Sequence, residues 1–308
     1  MARPARSRSP ATTKVAPEGG RRDAPPAATP PSVTRLLEIL ELERLDRDLF
    51  RAAASRQMPG GRLFGGQVAA QALRAAAFTV QEGYPPHSLH AYFLRPGDPE
   101  RPVLLHVDRI RDGRSFTTRR VVAVQEGEAI FHLGASFQRD EEGPAYAEPG
   151  PLGVPDPESD HAWSKGPFQG FESHSPFEIR ELGVVGPDQR GVYESTRRIW
   201  IRTRGSLPDD RVLHSCVATF VSDMGVVYAA AVPIGGPFGA VTAASLDHAV
   251  WFYRPLQLDE WTLFDVHPIS NARSRGLVRG SLRSRNGTLG ASIAQEALIR
   301  RRPEGGKQ

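Results

Sequence analysis

The tetrapeptide Phe93-Leu94-Arg95-Pro96 returns as Phe252-Tyr253-Arg254-Pro255, which sets the two stretches 159 residues apart. Arg114-Ser115 and Arg273-Ser274 show the same spacing. Six further identities show the same spacing of 159 residues without a gap. The matched pairs are Gly66 and Gly225, Val68 and Val227, Ala70 and Ala229, Leu104 and Leu263, Val107 and Val266, and Arg120 and Arg279. Self-similarity of this length indicates a duplicated domain, because solenoid units run only about 20–50 residues. We therefore expect two copies of one module, with a binding site at the seam between them.

Each copy combines a buried helix with antiparallel strands. Residues 67–78 are rich in alanine and apolar nearly all round, so this helix must be buried. A strand is predicted to start at Leu49-Phe50, before this helix, and the strands predicted after it are 88–94, 103–111, 117–125 and 129–137. The second copy is predicted to hold helical segments at 213–224 and 225–231, and strands at 194–203, 246–253, 261–268, 276–285 and 288–299. The predicted class is α+β, with two tandem modules in which an antiparallel sheet wraps around a central helix.

Composition divides the chain into five parts. Residues 1–32 carry seven prolines and have six basic and two acidic side chains, which account for the whole formal net charge of +4. Such a segment cannot bury enough apolar surface to fold, so we predict a disordered basic, proline-rich tail. Seven acidic residues and five prolines between Asp140 and Asp160 predict an acidic, proline-rich linker over 139–176. The modules then span 33–138 and 177–302, and residues 303–308 form a second tail.

The composition also excludes several classes of protein. Because the tail holds the net charge, the folded body is neutral and no nucleic acid partner is expected for it. No run of about 18 apolar residues is present, so no membrane span is predicted. The single cysteine, Cys216, excludes an internal disulfide framework and a cysteine-based zinc cluster, which makes a cytoplasmic location the simplest expectation. The Gly-x-Ser-x-Gly, Walker and His-Glu-x-x-His signatures are missing.

Three polar residues of the second copy are candidates for catalysis. Asp223 follows the run Val217-Ala218-Thr219-Phe220-Val221 at the entrance of a predicted buried helix, where it would either cap the helix or, with partners, act as a base. Ser245 and Gln295 fall on strands of the same module. Gln295 lies in an apolar strand, so it is either on the solvent face or committed to a hydrogen bond. Asp247-His248 is a rival acid–base pair, although adjacent strand residues point to opposite faces.

Several blocks of sequence, in a fixed order, match a known pattern. In the first copy they are Leu63-Phe64-Gly65-Gly66-Gln67-Val68, His90-Ala91-Tyr92-Phe93-Leu94-Arg95-Pro96-Gly97-Asp98, Arg111-Asp112-Gly113-Arg114-Ser115-Phe116 and Ala135-Ser136-Phe137-Gln138. In the second they are Ser222-Asp223, Leu246-Asp247-His248-Ala249-Val250-Trp251-Phe252, Arg275-Gly276-Leu277-Val278-Arg279-Gly280 and Gln295-Glu296. The chain resembles the type II acyl-CoA thioesterase family over roughly residues 33–302, and the resemblance implies a double hot-dog fold.

That resemblance implies hydrolysis of fatty acyl-CoA thioesters by an Asp, a Thr or Ser hydroxyl and a Gln that together hold and activate a water. These positions fall on Asp223, Ser245 and Gln295, with Ser where the best-known bacterial members have Thr. No metal or cofactor is implied, and the partner is the acyl-CoA substrate. A homo-oligomer, either a dimer or a tetramer, is expected from the resemblance.

Substrate contacts are expected at the start of the first buried helix and on one strand of the second copy. Backbone N–H groups near Gly65 and Gly66 could stabilise the oxyanion, and Gln67 and His248 are further candidates. Two other functions stay open. One is a non-catalytic acyl-CoA-binding protein, and the other is a hot-dog enoyl-CoA hydratase with an Asp/His pair, whose Gly-Asp-x-Asn-Pro-like signature is not found.

Overall fold

The computed structural model describes residues 33–55, 61–164, 175–235 and 241–302, together with Met1. The basic tail predicted at 1–32 lies outside the described residues apart from Met1, as do the C-terminal residues 303–308. All helices and strands in the described ranges belong to the unit that begins at Pro31.

The first half of this unit packs a central helix against six strands. Its helices are α1 (Val33–Leu40) and α2 (Gly65–Ala77), and its strands are β1 (Leu42–Asp46), β2 (Leu49–Ala52), β3 (Pro86–Phe93), β4 (Val103–Asp112), β5 (Phe116–Gln125) and β6 (Glu128–Gln138). Ten of the thirteen residues of α2 are buried, because small alanine side chains let the sheet approach the helix on several sides. The side chain of Gln71 donates to the carbonyl of Ile39, which ties α2 to α1.

Over its described residues, the second half has a short 3-10 helix (Val232–Ile234) and, where the sequence predicted two adjoining helical segments, two α-helices. They are α3 (Arg211–Ser222) and α4 (Val226–Ala231), and the strands are β7 (Phe177–Pro187), β8 (Tyr193–Thr203), β9 (Val241–Ser245), β10 (Asp247–Phe252), β11 (Thr262–Ala272), β12 (Arg275–Ser284) and β13 (Leu289–Arg301). The Asp210 carboxylate caps α3 by accepting from two backbone N–H groups. Gly225 has φ +75°, a left-handed conformation that glycine adopts at little cost, and it separates α3 from α4.

A single thirteen-stranded sheet runs through both halves. Its strand order is β1-β2-β4-β5-β6-β3-β10-β13-β12-β11-β8-β7, with β9 paired to β13 off this path. The pairings among the described strands are antiparallel. Where the halves meet, β3 pairs with β10 so that His90 lies opposite Ala249, and these residues are themselves 159 apart in the chain.

This register confirms the duplication. A two-fold axis brings equivalent residues of two copies face to face, and His90 and Ala249 are equivalent under the spacing read from the sequence. The α+β double hot-dog arrangement that the resemblance implies is therefore present, with the sheet continuous across the seam.

The segment Arg211–Ile234 is long and apolar enough to cross a membrane, although it contains no uninterrupted run of about 18 apolar residues. The structure explains this composition without a membrane, because 67% of the most apolar 18-residue stretch of the segment is buried inside the protein. The turn at Gly225 also divides the segment into separate helices. Its hydropathy therefore reflects burial in the core.

Three strands, β1, β7 and β9, were not predicted from the sequence. Strand β9 is the most important of them because it carries Ser245. Its sequence Val-Thr-Ala-Ala-Ser has β-branched residues only at its first two positions and ends in three small residues, which gives a weak strand signal. It is held as a strand by pairing with β13, where Ser245 lies opposite Ala297.

The predicted linker over 139–176 has no helix or strand in its described parts, residues 139–164 and 175–176. Trp163 and Val154 of this segment pack on a small cluster formed by Trp200, Trp261 and Leu263. Asp156 receives two hydrogen bonds from Arg285 at 2.9 and 3.0 Å. The segment is therefore attached to the second half, and residues 165–174 lie outside the described ranges.

Candidate active site

Asp223 lies at the end of helix α3, and its carboxylate accepts hydrogen bonds from Gln295, Ser245 and the Gly66 backbone N–H. It is the C-cap residue of α3, whereas the residue before α4 is Gly225, and no side chain caps α4. The interpretation of Asp223 as a side-chain cap at the start of the helix that follows it is therefore wrong. The carboxylate points toward β13 and is only 6% exposed.

The structure brings Asp223, Ser245 and Gln295 into direct contact. The amide nitrogen Nε2 of Gln295 donates to Asp223 Oδ1 at 2.9 Å and to Ser245 Oγ at 2.8 Å. The Ser245 hydroxyl in turn donates to Asp223 Oδ1 at 3.4 Å. Gln295 is fully buried, so of its two predicted environments the hydrogen-bonded one is correct.

Strand pairing explains why these side chains meet. Gln295 and Ala297 project to the same face of β13, because residues two apart on a strand share a face. Ser245 on β9 lies opposite Ala297 and thus beside Gln295. The site is therefore built by the pairing register of β9 and β13 within the second half and by the end of α3.

The first half contributes the start of helix α2. A Cβ atom built on Gly65 would lie 2.7 Å from Asp223 Oδ2, and one on Gly66 would lie 2.5 Å from the backbone carbonyl oxygen of Phe220. The backbone N–H of Gly66 is directed at the Asp223 carboxylate. Glycine at both positions thus allows α2 to approach within contact distance, and the site lies at the seam between the two copies. Gln67 follows on α2 and is also buried.

Burial controls the charge of the Asp223 carboxyl. Loss of solvent raises its pKa from 3.8 to about 6, against the opposing effect of hydrogen bonds from Gln295, the Gly66 N–H and Ser245. A carboxylate with a pKa near 6 is ionised at neutral pH and is a stronger base than an exposed one. The geometry and the pKa together suit Asp223 to accept a proton from a bound water.

His248 lies behind Gln295 and is 1% exposed. Its Nδ1 is 2.5 Å from Gln295 Oε1, and its Nε2 is 2.8 Å from Ser222 Oγ. The rival Asp247-His248 pair does not form, since Asp247 Oδ1 instead accepts the backbone N–H of Glu296 at 2.7 Å. Sequence reasoning gave no role to Ser222, whose only signal was its position next to Asp223 in the chain.

The duplication does not produce a second copy of this site. The residues 159 positions before Asp223, Ser245 and Gln295 are Phe64, Pro86 and Ser136. None of these three carries a carboxylate or an amide, so the symmetry-related place lacks the chemical groups of the site.

One cavity lies away from Asp223. A cavity of about 150 Å³ is lined by the first turns of α3 and by the chain after β10, including Arg211, His214 and Arg254, and none of the three candidate residues reaches it. Over the described ranges, no group of three or more His, Cys, Asp or Glu side chains is arranged to hold a metal ion.

The chain matches known proteins along most of its length. Residues 53–138 match the family described as acyl-CoA thioesterase N-terminal domain, and residues 171–298 match the family described as acyl-CoA thioesterase. Acyl-coenzyme A thioesterase 8 of Mus musculus is 38% identical over 284 residues, covering 86% of this chain and 89% of that protein. Acyl-CoA thioesterase 2 of Haemophilus influenzae is 32% identical over 280 residues, covering 87% of this chain and 98% of that protein.

The fold of the chain is also similar to that of a solved thioesterase structure. The acyl-CoA thioesterase II TesB2 of Mycobacterium marinum superposes with a TM-score of 0.73 at 38% identity, covering 87% of this chain and 99% of that one. Both halves of the chain thus match acyl-CoA thioesterase domains. The candidate site lies at the seam where these halves meet in one continuous double hot-dog sheet. The chain belongs to the type II acyl-CoA thioesterase family.

Proposed function

We propose that this acyl-CoA thioesterase activates its water with Asp223 as general base, while Ser245 and Gln295 hold and orient that water. The observation that carries the proposal is the Gln295 amide, which donates both to the Asp223 carboxylate and to the Ser245 hydroxyl. A buried amide committed in this way fixes the relative position of a base and a hydroxyl that could both bind one water.

The chemistry balances without a covalent intermediate on the protein. Water oxygen attacks the thioester carbonyl carbon while Asp223 takes the water proton, which gives a tetrahedral oxyanion. The carbon–sulfur bond then breaks, and the proton held by Asp223 goes to the departing CoA thiolate. The products are a free carboxylic acid and CoA. Proton transfer of this kind contributes about 10²–10⁴-fold to the rate.

We assign the stabilisation of the oxyanion to backbone N–H groups at the start of helix α2. The first N–H groups of a helix have no intrahelical partner, so those of Gly65 and Gln67 are available beside the Gly66 N–H that faces Asp223. Negative charge at a helix N-terminus is also favoured by the aligned peptide dipoles. Support for this assignment comes from the close approach of Gly65 to the carboxylate.

The test compares Asp223→Asn with wild type in an assay of thiol release from acyl-CoAs of increasing chain length. We expect kcat to fall by about 10²–10⁴-fold in the variant, because its amide cannot accept the proton. Asp247→Asn is the matched control, since its oxygen can still accept the Glu296 N–H and activity should be kept. An Asp223→Asn enzyme that retains most of its turnover would exclude Asp223 as the base.

We also propose that the substrates are fatty acyl-CoAs and that the enzyme works in the cytoplasm as a homo-oligomer. The lone buried Cys216 is compatible with a reducing compartment, where structural disulfides are rare. The assembly is measured by light scattering of the purified protein, and a monomer at all concentrations would contradict it.

A further inference from the structure

The amide of Gln295 must be held in one of two orientations for the site to work. Its nitrogen faces Asp223 and Ser245, and its oxygen faces His248. A half-turn about the last side-chain bond would exchange oxygen and nitrogen with little change in shape. The reversed amide would aim its carbonyl oxygen at the Asp223 carboxylate and leave the Ser245 hydroxyl without a donor.

The chemistry of the contact determines where the His248 proton lies. Gln295 Oε1 can only accept, so at 2.5 Å the histidine must carry its hydrogen on Nδ1. In a neutral ring Nε2 is then an acceptor, and the Ser222 hydroxyl at 2.8 Å is the donor to it. The carbonyl oxygen of Thr219, 2.9 Å from Ser222 Oγ, competes for that single hydroxyl hydrogen.

We propose that His248 is a positioning residue whose Nδ1–H locks the Gln295 amide with its nitrogen toward Asp223 and Ser245, and that Ser222 fixes the histidine tautomer. This proposal rests on the proposed function of Asp223, Ser245 and Gln295. His248 itself does not reach the reacting atoms, because Gln295 stands between it and the carboxylate.

The electrostatics of the ring are consistent with this role. Burial lowers the pKa of His248 to about 4, with the hydrogen bond to Gln295 opposing the shift. The ring therefore stays neutral over the range in which Asp223 ionises. A neutral ring with Nδ1 protonated is the one form that donates to Gln295 and accepts from Ser222.

Two substitutions separate hydrogen bonding from packing. His248→Leu removes the donor, whereas His248→Asn puts an amide nitrogen close to the place of Nδ1 and keeps a donor for Gln295. We expect His248→Leu to lower kcat by about 10- to 100-fold with KM changed less than about threefold, because an unpaired Gln295 amide loses its orientation. His248→Asn should recover most of that loss. His90→Leu, on the exposed face of the neighbouring strand β3, is the control and should keep wild-type kcat.

Equal losses in the Leu and Asn variants would show that His248 acts only by filling space, and a wild-type kcat in His248→Leu would remove the role altogether. Because His248→Leu could fail to fold, the wild-type enzyme labelled with ¹⁵N-histidine provides a second test. Its ring nitrogens report the tautomer, and a His248 protonated on Nε2 would overturn the proposal. Asp223→Asn, assayed alongside, shows separately whether the proposed base is correct.

Discussion

Replacing Gly66 by alanine tests the contact that joins the two halves at the active site. The added Cβ would lie 2.5 Å from the carbonyl oxygen of Phe220, whereas ordinary contacts of this kind begin at 3.4 Å. The start of α2 and the end of α3 must therefore move apart by as much as about 0.9 Å. The Phe220 oxygen belongs to the backbone of a buried helix and cannot swing aside as a side chain could.

That separation acts directly on Asp223, which follows Phe220 by three residues and faces the Gly66 N–H. A misplacement near 1 Å can cost about 10²-fold in rate, so we expect kcat to fall by about 10- to 100-fold. Overpacking costs about 1–3 kcal/mol, and the lower entropy of the unfolded alanine chain returns at most about 1 kcal/mol. The melting temperature should therefore fall as well.

The assay is thiol release at saturating acyl-CoA, together with thermal unfolding. Gly134→Ala on strand β6 is the matched control, because a Cβ there meets nothing within 4 Å. It should leave kcat and melting temperature near wild type. If Gly66→Ala has wild-type kcat and an unchanged or higher melting temperature, α2 is not held against the Asp223 carboxylate in the way described.

Four further outcomes follow from the structure. kcat should decline as the pH falls through about 6, where Asp223 becomes protonated, and a pH–rate profile that is flat down to pH 5 would contradict this. Because the pKa of Asp223 is raised in the folded protein, its ionised carboxylate lowers the free energy of unfolding by at most about 3 kcal/mol above about pH 6. Below about pH 3.8 the carboxyl is protonated in both the folded and the unfolded protein, and this effect disappears. Asp223→Asn should thus melt above wild type at pH 8, with the difference vanishing toward pH 4 in calorimetry. Ser245→Thr, which keeps the hydroxyl, should stay within about threefold of wild-type kcat, whereas Ser245→Ala should lose about tenfold. Cys216 is fully buried and burial raises the pKa of its thiol to about 12, so an aromatic disulfide reagent should label it only after unfolding.

The sequence predicted the two-fold organisation because the Arg-Pro anchors and their spacing survive in both copies. It did not predict β9, because only Val241 and Thr242 favour a strand there, and the three small residues that follow depend on pairing with β13. Such a strand exists through tertiary pairing, which overrides local preference.

The candidate residues were matched by family resemblance, and their geometry required the structure. The pattern around Asp223 was equally compatible with capping, although the Gly225 that follows, with φ +75°, is the usual signal for the end of a helix. The orientation of the Gln295 amide could not be predicted, because it depends on His248, 47 residues away in the chain.

The pairing of His90 with Ala249 places a former symmetry axis inside one polypeptide. In a dimer of identical chains, each substitution appears on both sides of such an axis, so an ionised Asp at one site must be accompanied by a second at the other. Fusion removes that constraint, and here Phe64 stands at the position equivalent to Asp223. Fusion also keeps the partner halves at a fixed effective concentration, so the site assembles equally well however dilute the protein is.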